Sequence, residues 1–149
     1  MVSSNFTKLV EKHSDELSRQ LAQKLHASSR TKSFHEISLE DLERDINILY
    51  HNLGDWLLYR TEADVQARYR ELGRRRAAQG ISAQELVWGF TIAKEHIISF
   101  LRREAVADNA LALFNELEFV MSLTQFFDRA IYFALEAQSA AVQNHQAVA

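Results

Sequence analysis

The chain has 149 residues, 47% of them hydrophobic and 25% charged, with a formal net charge of -3. That balance fits one folded domain with a buried core and excludes both a disordered chain and a molecule-wide basic field for polyanions. With no cysteine, no proline and only four glycines, disulfides, thiol nucleophiles and cysteine-ligated zinc are excluded, and a helical chain is expected.

A first helix is predicted from Phe6 to Ser28, with Phe6, Val10, Leu17, Leu21 and Leu25 at helical spacing and Ser4 or Asn5 as its cap. HASSRTKSFHEIS is polar and aperiodic and reads as the longest loop. Residues 1–37 are therefore expected to form an amino-terminal helix and loop. SLED opens the second helix, with Ser38 capping and Asp41 in the third position of an acidic capping box. Leu42, Ile46, Leu49, Leu53, Trp56 and Leu57 then share one face, predicted as core. Thr61 and Asp64 repeat the cap signal, so a third helix starts beyond a tight corner near Arg60. Val65, Tyr69, Leu72 and Arg76 line up on it.

Gly80 is placed as a left-handed helix terminator, and Ser82 with Glu85 forms the next reciprocal cap. The fourth helix reaches about Arg103. Its Leu86, Val87, Phe90, Ala93, Ile97 and Leu101 form one stripe, with Trp88 and Ile92 on another side, which marks it as central. Asp108 opens the fifth and longest helix, carried to about Gln138. Glu118, Ser122, Gln125, Arg129 and Glu136 occupy a narrow strip of it, and the rest is almost wholly apolar. One core cannot easily absorb so wide a surface. Either the helix is sandwiched, or one face packs on a second copy, and a homodimer is expected. Residues 139–149 are predicted to fray, leaving 38–138 as the core helices of a single-domain, all-α bundle of about five helices.

No apolar run approaches the ~20 residues of a membrane span, and MVSSNFTKLVEKHSDEL has no signal-peptide apolar core. A cytoplasmic protein without membrane contact is expected. No enzyme signature stands out. The glycines are isolated, so there is no phosphate loop, and no serine sits in a nucleophile elbow. No two histidines stand four apart and no Glu-x-x-His occurs, so no metal or other cofactor is expected. His96, on a strongly apolar helix, has the position of an axial haem ligand, but a hydrogen-bonded interior histidine is the plainer expectation. His51, in LYHNLGDW, is the alternative function. The HNLG run loosely resembles the signature of histidine phosphotransfer domains, with His51 as phosphoacceptor, although Asp55 stands where a cation would help. FHEIS around His35 is a weaker echo of kinase dimerisation domains.

Six arginines (60, 68, 70, 74, 75 and 76) face three acids between positions 60 and 76, a local excess of positive charge. Arginines in the last turn of a helix also suit its negative dipole end, so Arg74 and Arg75 are expected in solvent, where they could meet a partner. Nucleic-acid binding through them is not expected. Arg76, in line with apolar neighbours, is predicted to turn inward and to need a carboxylate or carbonyl partner.

The run from Tyr69 to Ser82, YRELGRRRAAQGIS, followed by Glu85-Leu86-Val87 and an apolar helix, resembles the amino-terminal domain of RsbT co-antagonist proteins of the RsbRD type. The residues that carry the resemblance are Tyr69, Gly73, Arg76, Gln79, Gly80, Ser82 and Glu85. The resemblance implies a non-enzymatic bacterial sensory or regulatory module that works through a protein partner, often self-associates and precedes an output domain. By analogy with related stressosome sensors it implies a globin-like bundle without haem. The sequence stops after the fifth predicted helix, as a stand-alone version or a fragment would.

Overall fold

Several helices begin where the sequence offers a side chain to hold their free amides. The fold comes from a computed structural model that describes residues 3–104 and 109–148, with side chains for 5–104 and 109–144. Seven α-helices follow in order: α1 (Ser3–Lys12), α2 (Ser14–Ala27), α3 (Leu39–Tyr50), α4 (Leu53–Leu58), α5 (Glu62–Ala78), α6 (Ala83–Glu104) and α7 (Ala110–Val148), with a 3-10 helix (Ser29–Glu36) between α2 and α3. The described residues contain no strand, so the fold is all-α, but with more helices than the five expected.

Three starts follow the sequence. Ser38 accepts from the Asp41 amide at 3.1 Å. Thr61 and Asp64 form a full capping box, and so do Ser82 and Glu85, with reciprocal bonds of 3.2 and 3.1 Å. Each satisfies amides that would otherwise lack partners at a helix start. Gly80 adopts φ 79°, the left-handed conformation expected at that helix end. Asp108, the expected cap of the last helix, lies outside the described residues.

The extra elements come from kinks. The first predicted helix is two, broken at His13 (φ -103°, ψ 17°), and Ser4 and Asn5 lie inside α1 instead of capping it. Backbone bonds run through the break, from the His13 amide to the Val10 carbonyl and from the Leu17 amide to the His13 carbonyl. The His13 ring rests on Phe100, centroids 5.4 Å apart. The second predicted helix bends at Asn52 (φ -120°, ψ 28°), where the Gly54 amide donates to Glu11 at 2.9 Å and seats α4 on α1.

The expected loop between α2 and α3 is mostly 3-10 helix. Thr31, Phe34 and Ile37 are buried, with Thr31 at a kink inside the segment (φ -131°, ψ 41°) and Ile37 as its extended carboxyl-terminal cap. Thr31 also donates to the Leu25 carbonyl at 2.7 Å.

The core lies between α5, α6 and α7, roofed by α1, α2 and α4. Trp56, Tyr69, Phe90, Phe126 and Phe127 form a continuous aromatic cluster with centroids 5.6 to 6.4 Å apart. Of the expected core stripes, Leu42, Leu53, Trp56, Leu86, Ile97 and Leu101 are buried, whereas Val87 is exposed. α7 continues to Val148, and buried Gln138 donates to the Ile81 carbonyl at 3.1 Å, pinning α7 to the turn before α6.

Candidate functional site

The segment from Tyr69 to Glu85 brings three helices to one corner, and its residues have distinct mechanical duties. α5 crosses α7 at Gly73, where a Cβ would overlap the Ala134 carbonyl oxygen and lie 2.9 Å from the carbonyl carbon. Glycine here serves the close approach of two backbones. One turn away, Arg70 pairs with Glu136 across the same crossing. The Ile81 amide donates to the Arg76 carbonyl at 3.0 Å and closes the turn. Glu85 accepts from the Ser33 amide at 2.7 Å as well as from Ser82, tying the 3-10 helix to α6. Burial alone would raise the Glu85 carboxyl, but the bonds from Ser33 and Ser82 outweigh it and hold it low.

Arg76 is only 4% exposed. It reaches Asp45 on α3 at 2.8 Å and donates to Gln79 at 2.8 Å. Burial lowers the Arg76 pKa while Asp45 pulls it upward, and a guanidinium keeps its charge in any protein. For Asp45, burial works to raise the carboxyl, and the hydrogen bonds and charges of Arg75 and Arg76 overcome it, so its pKa falls below the ordinary value. Arg75, expected in solvent, is instead shared between Asp45 at 2.7 Å and Glu71 at 3.1 Å. Arg68 lies 3.4 Å from Glu71 and 4.0 Å from Asp45. Arg74 remains exposed, with no acidic partner among the described residues. The apparent basic patch is thus largely neutralised.

Behind this cluster is a cavity of about 90 Å³, lined almost wholly by apolar side chains including Leu25, Phe34, Leu49, Phe90, Ala93 and Phe127, with Asp45, Arg68 and Arg76 in its wall. Asp45 and this cavity were both missed in the sequence. The signal for Asp45 was available, since it follows Leu42 and precedes Ile46 and Leu49 on the inward side of α3, an acid in an apolar stripe that mirrors Arg76 in its own.

The histidines stand apart from this site. His51 follows the last residue of α3 as its carboxyl-terminal cap, exposed, with Nδ1 3.3 Å from Ser14 Oγ. Nearby Asp55 is bound to Arg60 at 2.6 Å. Nothing here favours the phosphotransfer alternative. His96 is buried, and its Nδ1 accepts from Lys24 Nζ at 2.9 Å, while Nε2 makes no well-formed hydrogen bond among the described residues and has only the Leu17 backbone nearby. Burial first, then the Lys24 charge, push its pKa down to about 4. It lines none of the apolar cavity. Among the described residues, no three His, Asp or Glu side chains cluster closely enough to hold a metal ion, and no helix is long and apolar enough to cross a membrane.

No curated protein and no solved structure matches the chain. Residues 15–147, a span that contains the whole corner, match the RsbT co-antagonist protein rsbRD N-terminal domain. The chain belongs to that family, whose members are regulatory stress-signalling modules of partner-switching systems.

Proposed function

We propose that this domain is a non-enzymatic, cytoplasmic regulatory module that self-associates through the amino-terminal half of α7 and passes its signal to a protein partner as a change in helix packing. The observation that carries this is one helix surface. Leu111, Phe114, Leu117 and Met121 recur at steps of three and four, with Leu113 beside them, and all five are 56% to 67% exposed. A contiguous patch of large apolar side chains is uncommon on a monomer and marks an interaction surface. A two-fold axis lets such a stripe meet itself without a second, complementary protein.

The opposite face of the same helix supports the signalling half. Phe119, Leu123, Phe126, Phe127 and Ala130 are buried in the core, so any shift at the stripe is felt by the aromatic cluster. The convergent polar groups at the corner are spent on one another, which favours a structural over a catalytic role. The haem-free, globin-like bundle belongs to the same proposal, supported by an apolar cavity amid the helices with no histidine in its wall.

Sedimentation equilibrium at micromolar concentration tests the reading. A mass twice the 17.2 kDa of one chain is expected, and a clean monomer would contradict it.

A further inference from the structure

The cavity has a structural cause. α3 packs along α2, but its backbone barely approaches α5 or α6. The gap is bridged by side chains at two ends. At one end Asp45 reaches Arg75 and Arg76. At the other, buried Tyr50 donates to the Ala93 carbonyl across a long 3.4 Å. Between these struts lies a mostly apolar pocket of about 90 Å³, open on one side.

We propose that this space is a binding site for a compact, uncharged apolar molecule, and that its occupancy is transmitted through the Asp45–Arg76 tie. Three observations fix the ligand class. Each guanidinium in the wall already has a carboxylate within 4.0 Å, and the Tyr50 hydroxyl donates to the Ala93 carbonyl, so no free charge waits for a polar head. The lining is mostly apolar, so a guest that covers it is favoured in proportion to the apolar surface it removes from water. A cavity of roughly 150 Å³ holds benzene, so this one suits a molecule no larger than that. Ile46, Leu49, Phe90 and Ala93 are only partly buried, so the site can fill from their side without unfolding.

Entry of a guest pushes α3 away from α5 and α6, and Asp45 moves against Arg75 and Arg76. Phe127 also lines the space and belongs to α7, the helix with the exposed stripe. The consequence for signalling rests on the regulatory reading above. Binding itself does not.

Xenon is a suitable probe, followed by NMR on the whole chain under increasing gas pressure. Saturable shifts are expected at the methyl groups of Leu25, Leu49 and Ala93, with the side-chain Nε–H signal of Arg76 moving on the same curve. Ala93→Leu and, separately, Leu49→Phe fill the space and should abolish the saturable shifts at the remaining wall methyls while each variant still melts cooperatively. No saturable shift at these methyls in the wild type, an unchanged response in both filled variants, or an Arg76 signal that stays still would overturn the proposal. A protein that is monomeric by sedimentation yet gives the full set of shifts would contradict the self-association reading and support the cavity.

Discussion

Residues 72–82 and residues 111–121 both display side chains that look ready for a partner, and the protein treats them in opposite ways. In the first segment Arg75 and Arg76 converge on Asp45, Gly73 meets the Ala134 backbone, and Ile81 is held by Gln138. In the second, Leu111, Leu113, Phe114, Leu117 and Met121 project from α7 with more than half of their surface in water. The difference follows from cost. A buried charge without a partner is so unfavourable that the fold must supply one. An exposed leucine forgoes only about 25 cal/mol for each Å² left uncovered, so the fold can leave it for a later interface. Conspicuous charge therefore marks internal mechanics here, and plain apolar periodicity marks the free surface.

Substitutions at the corner should damage the fold, and substitutions on the stripe should not. The largest effect is expected for Asp45→Ala, which leaves Arg76 buried without its carboxylate; a loss of about 3–5 kcal/mol in urea unfolding follows from the cost of breaking a buried pair. Gly73→Ala comes next, with an expected loss of about 1–3 kcal/mol from overpacking against Ala134 despite the better helix propensity of alanine. A smaller effect concerns acid. Because folding lowers the Asp45 pKa, its contribution is fully present above the unfolded value of about 3.9 and is lost as pH falls through the lower folded value. In Asp45→Asn that part of the decline below about pH 4 should disappear. The smallest change in fold stability is expected for Leu117→Glu, within about 0.5 kcal/mol for the isolated chain, although it should abolish the dimer. A large loss of stability in dilute Leu117→Glu would show that the stripe is core after all.

The sequence was most legible where local chemistry decides. Ser38, Thr61 with Asp64, Ser82 with Glu85, and Gly80 each act within a few residues of themselves, and each stands in the structure where the spacing put it. The kink at His13 has no glycine or proline beside it, and the kink at Asn52 has Gly54 two residues on. They answer to Phe100 and Glu11, contacts 87 and 43 residues away in the chain, and periodicity has no access to such distances. The 3-10 helix between α2 and α3 was hidden by its polar composition. Inward orientation of Arg76 could be read from its alignment with Val65, Tyr69 and Leu72, and Asp45 stood out as an acid in an apolar stripe, but the pairing of the two spans 31 residues and no local pattern joins them. Arg75 was misplaced for the same reason, since helix-end propensity is local and the pull of Asp45 is not.

Amide hydrogen exchange at two protein concentrations, one below and one above the dimer midpoint, compares the two segments in a single experiment. Residues 72–82 should exchange slowly and equally at both concentrations, because their ties are internal. Residues 111–121 should exchange faster in the dilute sample and slow down in the concentrated one, as the stripe is covered and the start of α7 frays less. Exchange at 111–121 that ignores concentration, or a concentration dependence confined to 72–82, would contradict the division of labour between corner and stripe.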